Sequence, residues 1–269
     1  TPRVSTGSSY RRRPPLAEQA RRLDGKVIVV TGAARHLGQA YAVRLAEEGA
    51  ELVLADVLDC AETTTLCEAA GAKVLALSVD VTSEEATLGM ARRAQERFGR
   101  IDGLLNNAGL MTNITGPSVM DVDPEWWDRV FAVNVKGTFL CTRAVLPYMR
   151  DQGGGKIVNV GSTTMLRTSN SVNASMPHYV ASKGAIMAFT RSIVRELGQY
   201  NINVNTLAPG GTEQEVALDG LDAPAEASRA FGRRGVPSDL TGTVAYLFSA
   251  DADFVMCFSS LGSMGVHFR

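Results

Sequence analysis

Apolar, β-branched runs alternate with helical patterns along most of this chain, and this alternation limits the folds open to it. The strand patterns cover 26–31, 51–56, 73–79, 103–107, 155–161 and 202–207. The helical patterns lie between them, at about 38–49, 60–70, 83–98, 125–150 and 179–199. Strands that are joined by helical crossovers predict a parallel sheet covered by helices on both faces. With right-handed crossovers the fold is doubly wound, and its ligand site lies at the carboxyl ends of the strands.

The length of 269 residues suits one large α/β domain, and no internal repeat or linker divides the chain. We predict an N-terminal basic arm at 1–21 and a single Rossmann-type dinucleotide-binding and catalytic domain at 22–269. The arm carries several arginines and no acid in its first fifteen residues, which is typical of a mobile or crossing segment. A remnant of an organelle-targeting sequence is the alternative.

Composition excludes several classes of function. Hydrophobic residues make up 45% of the chain and its net charge is -1, so neither nucleic-acid nor membrane binding is favoured. No stretch approaches the ~20 apolar residues of a membrane span, and we expect a cytoplasmic protein. The cysteines show no metal-ligand spacing and the histidines are scattered, so we expect no metal site; the cysteines are Cys60, Cys67, Cys141 and Cys257.

A glycine-rich turn follows the first strand pattern, from Thr31 to Gly38, and a helical pattern begins directly after it. Such a turn binds anions, because free backbone N–H groups and the helix dipole face the phosphate. The second strand pattern ends in Asp56, an acid about 20 residues further on. Together these features form the dinucleotide fingerprint, in which the carboxylate binds ribose hydroxyls.

Tyr179 and Lys183 are four residues apart, so on a helix they share one face. A phenol normally titrates near ~10 and is a poor base at neutral pH. A neighbouring ammonium group favours the phenolate and lowers its pKa, which makes tyrosine a plausible proton-transfer group. Alone, this spacing is common by chance, and a solvated helix face is the ordinary reading.

The carboxyl end of every strand pattern carries polar or glycine residues. Because these ends meet at one edge of a parallel sheet, the residues are expected to lie close together. They are Gly32, Asp56, Asp80 with Val81, Asn106 to Gly109, Ser162, and Pro209 to Thr212.

With these motifs the chain resembles the short-chain dehydrogenase/reductase family over roughly residues 22 to 255. The match rests on Thr31-Gly32 with Gly38, Asn106 to Gly109, Asn134, Ser162, and Tyr179 with Lys183. The resemblance implies a Rossmann-type fold and an oxidoreductase that interconverts a secondary alcohol and a ketone with a nicotinamide cofactor.

The resemblance also implies roles for four residues. Tyr179 is the expected general acid/base, and Lys183 is expected to lower its pKa and to bind the nicotinamide ribose. Ser162 is expected to hydrogen-bond the substrate oxygen, although Thr163 or Thr164 could replace it. Asn134 is expected to position a water that continues the proton relay, with a purely structural bridge as the alternative.

The predicted cofactor is NAD, because the charge of Asp56 would oppose the 2′-phosphate of NADP. Arg35 argues for NADP, and an NADPH-dependent carbonyl reductase is therefore the second hypothesis. A catalytically silent nucleotide-binding scaffold is the third. The expected cofactor-binding residues are Gly32, Arg35, His36, Leu37, Gly38, Asp56, Asp80, Val81, Asn107, Ala108, Gly109, Tyr179, Lys183, Pro209, Gly210 and Thr212.

Two features depart from the family pattern. His36 stands where relatives usually have glycine, which alone allows free φ and close approach. The segment from Met256 onwards lacks the usual acid and paired glycines, which puts a final strand and the oligomeric order in doubt.

Substrate and assembly are less constrained by the sequence. Residues 110–123, 163–177 and 213–230 are the variable stretches expected to contact substrate, and their neutral character suggests an uncharged alcohol or ketone of medium size. The helices at 125–150 and 179–199 match those with which relatives dimerise, so we expect a homodimer or homotetramer.

Overall fold

A parallel β-sheet lies at the centre of the molecule. The computed structural model describes residues 21–111, 119–166, 176–212, 233, 235–256 and 259–261. The strands within these ranges are β1 (Val27–Thr31), β2 (Glu51–Asp56), β3 (Val74–Ser78), β4 (Gly103–Asn106), β5 (Gly155–Val160), β6 (Ile202–Ala208) and β7 (Ser259–Leu261). The helices are α1 (His36–Glu47), α2 (Ala61–Ala69), α3 (Glu84–Phe98), α4 (Pro124–Phe131), α5 (Gly137–Asp151), α6 (Pro177–Gly198) and α7 (Ser238–Phe248).

The strand order is β3-β2-β1-β4-β5-β6-β7, and every adjacent pair is parallel. Val29 of β1 is in register with Val53 on one side and with Leu104 on the other. The chain therefore reverses its direction across the sheet between β1 and β4. In open α/β sheets a ligand binds at such a switch point, beyond the carboxyl ends of the strands.

Helices cover both faces of the sheet, which confirms the predicted fold class. Side chains alternate along β1, so Ile28 and Val30 join one buried cluster whereas Val27 and Val29 join another. The first cluster includes residues of α1 and α7, and the second includes residues of α3 and α5. Burial on both faces explains why the strands are continuous apolar runs in the sequence.

The helical stretch predicted at 125–150 is present, but it consists of α4 and α5 joined by a π-helical turn, Ala132–Lys136. Asp123 caps α4 by accepting a hydrogen bond from the Glu125 amide at 2.9 Å. A π turn adds one residue to a helical turn, and this offset is too small for hydropathy alone to detect. It places Asn134 inside the protein, where it is fully buried.

Two further elements were missing from the sequence interpretation. Helix α7 packs against α1, and β7 pairs with β6 through Thr206, Leu207 and Ala208. The final strand that the unusual C-terminal sequence put in doubt is thus present as a three-residue edge strand. The predicted arm, apart from Arg21, lies outside the described residues, as do Cys257, the stretch 213–230 and everything after 261.

The described cysteines are buried. Burial raises the pKa of Cys60 to about 11 and that of Cys67 and Cys141 to about 12, so these thiols stay protonated at neutral pH. Over the described ranges, no group of three or more His, Cys, Asp or Glu side chains is placed to hold a metal ion. Within the same ranges, every helix is too short or too polar to cross a bilayer.

Glu48, at the end of α1, accepts hydrogen bonds from Arg22 at 2.8 and 2.6 Å and from Arg44 at 3.1 and 2.7 Å. Burial alone would raise the pKa of this carboxyl, but the two guanidinium groups outweigh burial and lower the pKa to about 2. The ion pairs therefore stabilise the folded protein fully above the ordinary pKa of 4.5, and their contribution is lost as the pH falls towards 2.

We expect Glu48→Gln to lower the free energy of unfolding by roughly 2 kcal/mol at pH 7, since two part-buried charge-assisted pairs are broken. The difference from wild type should narrow between pH 4.5 and pH 2, where the wild-type carboxylate becomes protonated. Urea unfolding at pH 7 and pH 3 measures both quantities, because pH 3 lies between the two pKa values of this carboxyl. Glu47→Gln, which removes an exposed neighbouring charge, is the control. An equal difference at the two pH values would contradict the assignment.

Candidate active site

The turn after β1 packs directly on the segment that follows β4. Gly32 has a φ of +65°, and a Cβ at this position would lie 2.7 Å from the Ala108 Cα. A Cβ on Gly38 would collide with the Gly32 carbonyl oxygen. Both positions therefore require glycine, and the backbone of the turn is left open at the amino end of α1.

Thr31 and Asn107 tie the two segments together. Thr31 Oγ1 accepts hydrogen bonds from the Asn107 and Ala108 amides, both at 3.1 Å. Asn107 Nδ2 donates to the Thr31 carbonyl at 3.1 Å and to the Gly32 carbonyl at 2.9 Å. Asn107 was predicted to contact the cofactor. Its side-chain amide is instead hydrogen-bonded to the backbone of the turn.

His36 adopts a left-handed conformation with a φ of +53° at the first position of α1. This conformation costs a non-glycine residue roughly 1–2 kcal/mol. The turn therefore tolerates His36, but with backbone strain that glycine would not carry. Arg35 precedes it in an extended conformation and is exposed.

The Asp56 carboxylate lies beside this turn. Its Oδ2 accepts from the Ala34 amide at 2.9 Å and its Oδ1 from the Leu58 amide at 3.0 Å. Thr63 of α2, which the sequence interpretation did not single out, donates from Oγ1 to the carbonyl oxygens of Ala33 and Ala34. The position of the negative charge is therefore fixed relative to the turn.

The structure brings Ser162, Tyr179 and Lys183 together beyond the carboxyl end of β5. Ser162 lies close enough to Tyr179 to lower the pKa of its phenol, and the Ser162 Oγ accepts from Thr164 Oγ1 at 2.9 Å. Lys183 Nζ lies 5.7 Å from the centroid of the Tyr179 ring and donates to the Val160 carbonyl at 2.8 Å. Thr163, one of the alternatives to Ser162, is buried.

The pKa of Tyr179 is raised, not lowered as the sequence argument expects. Burial is the larger influence and disfavours the phenolate, whereas the neighbouring Ser162 hydroxyl acts in the opposite direction. Burial also lowers the pKa of Lys183 to about 8. Lys183 is buried and Tyr179 is half-buried, and the ammonium donates to Val160, so the cation does not overcome the desolvation of the phenol.

Asn134 is occupied by protein partners. Its Oδ1 accepts from the Leu110 amide at 2.7 Å, and its Nδ2 donates to the Leu110 carbonyl at 3.2 Å and to Ser182 Oγ at 2.9 Å. Both hydrogens of the side-chain amide are therefore used. Any water held here, as the sequence-based relay requires, must donate to an oxygen of Asn134.

The remaining predicted residues surround this centre. Asp80 is exposed and accepts from Thr82, whereas Val81 is buried and Leu37 packs against the core. A Cβ on Gly109 would lie 3.4 Å from Lys183 Nζ, so this glycine packs next to the buried ammonium. Pro209, Gly210 and Thr212 follow β6, and Thr212 forms a bridge with Gly235.

The model of the short chain dehydrogenase family matches residues 26–220. This chain belongs to the short-chain dehydrogenase/reductase family. It is 36% identical over 239 residues to 2-dehydro-3-deoxy-D-gluconate 5-dehydrogenase of Escherichia coli (strain K12), covering 87% of this chain and 92% of that protein. It is 36% identical over 242 residues to cyclopentanol dehydrogenase of Comamonas sp. (strain NCIMB 9872), covering 87% and 94%. The crystal structure of an NAD⁺-bound xylitol dehydrogenase matches with a TM-score of 0.83 at 31% identity, covering 90% of this chain and 99% of that chain.

As a short-chain dehydrogenase/reductase with relatives named for alcohol and sugar oxidation, the chain is an oxidoreductase that acts on CH–OH groups. The family binds NAD or NADP, and the residues present fit such a cofactor. The turn keeps the two glycines that its packing requires, Gly32 and Gly38, the Asp56 carboxylate lies beside it, and Lys183 Nζ lies next to Gly109. This short-chain dehydrogenase/reductase therefore keeps the elements of a dinucleotide site despite His36.

Proposed function

We propose that this protein uses NAD to interconvert a secondary alcohol and a ketone, with Tyr179 as the general acid/base. The proposal rests chiefly on the meeting of Tyr179, Ser162 and Lys183 at the carboxyl edge of the sheet. A nicotinamide cofactor held beside these residues would supply the acceptor for the hydride of the alcohol carbon, or the donor for the ketone.

The two hydroxyl groups account for substrate binding. Because the Ser162 hydroxyl lies next to the Tyr179 phenol, one substrate oxygen can contact both. In oxidation the substrate hydroxyl gives its proton to Tyr179, and in reduction the Tyr179 phenol returns it. Ser162 donates to the oxygen as negative charge develops on it. The raised pKa of Tyr179 keeps the phenol protonated at neutral pH, which suits it to act as the acid in ketone reduction.

Lys183 and Asn134 support these steps. We propose that Lys183 Nζ, which is adjacent to Gly109 and bonded to Val160, also donates to ribose hydroxyls of the cofactor. Its lowered pKa of about 8 means that the positive charge is lost more readily than that of an exposed lysine. We propose that Asn134 acts through an oxygen acceptor, since both hydrogens of its side-chain amide are engaged.

The preference for NAD is inferred from Asp56. Hydrogen bonds from the amides of Ala34 and Leu58 hold its carboxylate, so it cannot turn away from a 2′-phosphate. Arg35 is exposed and can turn to solvent. A fixed negative charge should therefore outweigh a flexible positive one, although NADP binding led by Arg35 is the alternative.

Titration of the purified protein with NADH and, separately, NADPH tests the proposal. We expect NADH to bind at least tenfold more tightly, because the 2′-phosphate meets the charge of Asp56. The fluorescence of the reduced nicotinamide reports binding in both titrations. Tighter binding of NADPH would indicate that Arg35 determines the cofactor preference. Failure to bind either nucleotide would contradict the cofactor assignment.

The oligomeric state and the cellular location of the protein are proposals. Phe139 of α5 is partly exposed and forms an edge contact with Phe189 of α6 at 6.2 Å between ring centroids. We infer that this apolar face packs against a second copy of the chain, as a homodimer or within a homotetramer. The mass of the particle in solution would distinguish these states. The cytoplasmic location remains a prediction.

A further inference from the structure

Ser182 lies between the two catalytic candidates of α6 and is completely buried. Its Oγ donates to the Tyr179 carbonyl oxygen at 2.7 Å and accepts from Asn134 Nδ2 at 2.9 Å. A serine hydroxyl has one hydrogen to donate. Because that hydrogen is used for Tyr179, Ser182 can only accept from Asn134.

This restriction fixes the orientation of the Asn134 side-chain amide. The nitrogen must face Ser182, so the oxygen faces the other way and accepts from the Leu110 amide. The second hydrogen of Nδ2 reaches the Leu110 carbonyl. Both backbone groups of Leu110 are thus held by one side chain, whose orientation is set from α6.

The position of Leu110 means that holding its backbone also affects the reaction site. It follows Gly109, which lies beside Lys183, and it begins the stretch predicted to contact substrate. A displaced Leu110 would move the chain that passes Lys183. An Asn134 amide free to rotate would present a donor to the Leu110 amide, and the two would repel each other.

We propose that Ser182 is a positioning residue that sets the orientation of the Asn134 amide and thereby the path of the chain at Gly109 and Leu110. This inference rests on the proposed function, because it assumes that the site formed by Tyr179, Lys183 and Asn134 carries the reaction. It adds a residue that acts through Asn134 and contacts neither substrate nor cofactor.

Thr190 of the same helix provides a matched control. It is equally buried, its Oγ1 donates to the Ile186 carbonyl at 2.9 Å, and it accepts from Asn159 Nδ2 at 2.9 Å. It also accepts from Thr206 at 3.0 Å, so its removal breaks at least as many hydrogen bonds. Asn159 lies on β5, and its side chain accepts from Asn106 of the neighbouring strand β4 instead of contacting Leu110. Thr190→Val therefore reproduces the structural loss without the positioning effect.

The experiment compares Ser182→Ala, Thr190→Val and Tyr179→Phe with wild type in NAD⁺-coupled oxidation of cyclopentanol or of the secondary alcohol that wild type oxidises fastest. We expect Ser182→Ala to lower kcat about tenfold, the effect of one misplaced hydrogen bond, while NADH affinity changes less than threefold. Thr190→Val should leave kcat within twofold. Hydrogen exchange should show faster exchange of the Leu110 amide in Ser182→Ala only.

Equal kcat and equal Leu110 exchange in Ser182→Ala and Thr190→Val would overturn the inference. If Tyr179→Phe retains full turnover, the proposed function fails instead, and the exchange result alone decides the role of Ser182. Should Ser182→Ala not fold, Ser182→Cys makes the same comparison, because a thiol forms weaker versions of both hydrogen bonds.

Discussion

Replacing Tyr179 with phenylalanine is expected to lower kcat for alcohol oxidation by about a thousandfold, within the range typical of general acid/base groups. The substitution removes the hydroxyl that contacts Ser162 and keeps the ring that lies beside Lys183. NADH affinity should change only a few-fold, since the cofactor turn after β1 is untouched. Steady-state oxidation with NAD⁺, together with NADH titration, measures both effects.

Tyr41→Phe is the control for this prediction. Tyr41 is fully buried in α1, and its hydroxyl forms no hydrogen bond with the residues that the structure describes. Its removal deletes the same atom from a buried tyrosine and should leave kcat unchanged. Turnover by Tyr179→Phe close to that of wild type would exclude Tyr179 as the proton-transfer group.

Asp56→Asn is expected to reduce the preference for NADH over NADPH by about thirtyfold or more, from two effects. Loss of the negative charge weakens hydrogen bonds to the ribose hydroxyls, which are worth about 1.5–3 kcal/mol when one partner is charged. It also removes the repulsion of a 2′-phosphate. Asparagine keeps one oxygen that can accept from Ala34 or Leu58, so the turn should be preserved. Paired NADH and NADPH titrations give the ratio of the two affinities.

Asp59→Asn serves as the matched charge deletion. Asp59 is exposed three residues further on, and its Oδ1 accepts from the Ala61 amide at 2.9 Å. Asp59→Asn changes the local electrostatic field, but Asp59 does not occupy the proposed position beside the ribose. An unchanged preference in Asp56→Asn, or an equal change in Asp59→Asn, would leave Arg35 as the residue that decides the cofactor.

The strands could be predicted closely because their burial on both faces leaves uninterrupted apolar runs. Strand β2 has the predicted bounds, and β1 and β4 differ from them by one residue at one end. Helix α7 escaped detection because it is apolar on most sides and contains Gly242, so it lacks a clear polar face. Strand β7 has three residues, too few for a periodic pattern.

The site was predictable in its residues but not in their hydrogen bonds. Spacing placed Tyr179 and Lys183 on one helical face, and they lie together in the structure. The roles of Ser182 and Thr63 depend on partners 48 and 30 residues away, which no local pattern identifies. The direction in which the Tyr179 pKa is shifted likewise depends on burial, which is a property of the folded chain.

The four residues from Asn107 to Leu110 connect the two halves of the site. Asn107 is bound to the glycine turn after β1, and Leu110 is bound through Asn134 and Ser182 to the helix that carries Tyr179. The distance between these two points of attachment is limited by the length of this tetrapeptide. The glycine turn and the helix that carries Tyr179 are therefore both attached to one short segment of backbone. A shift of either should move the other.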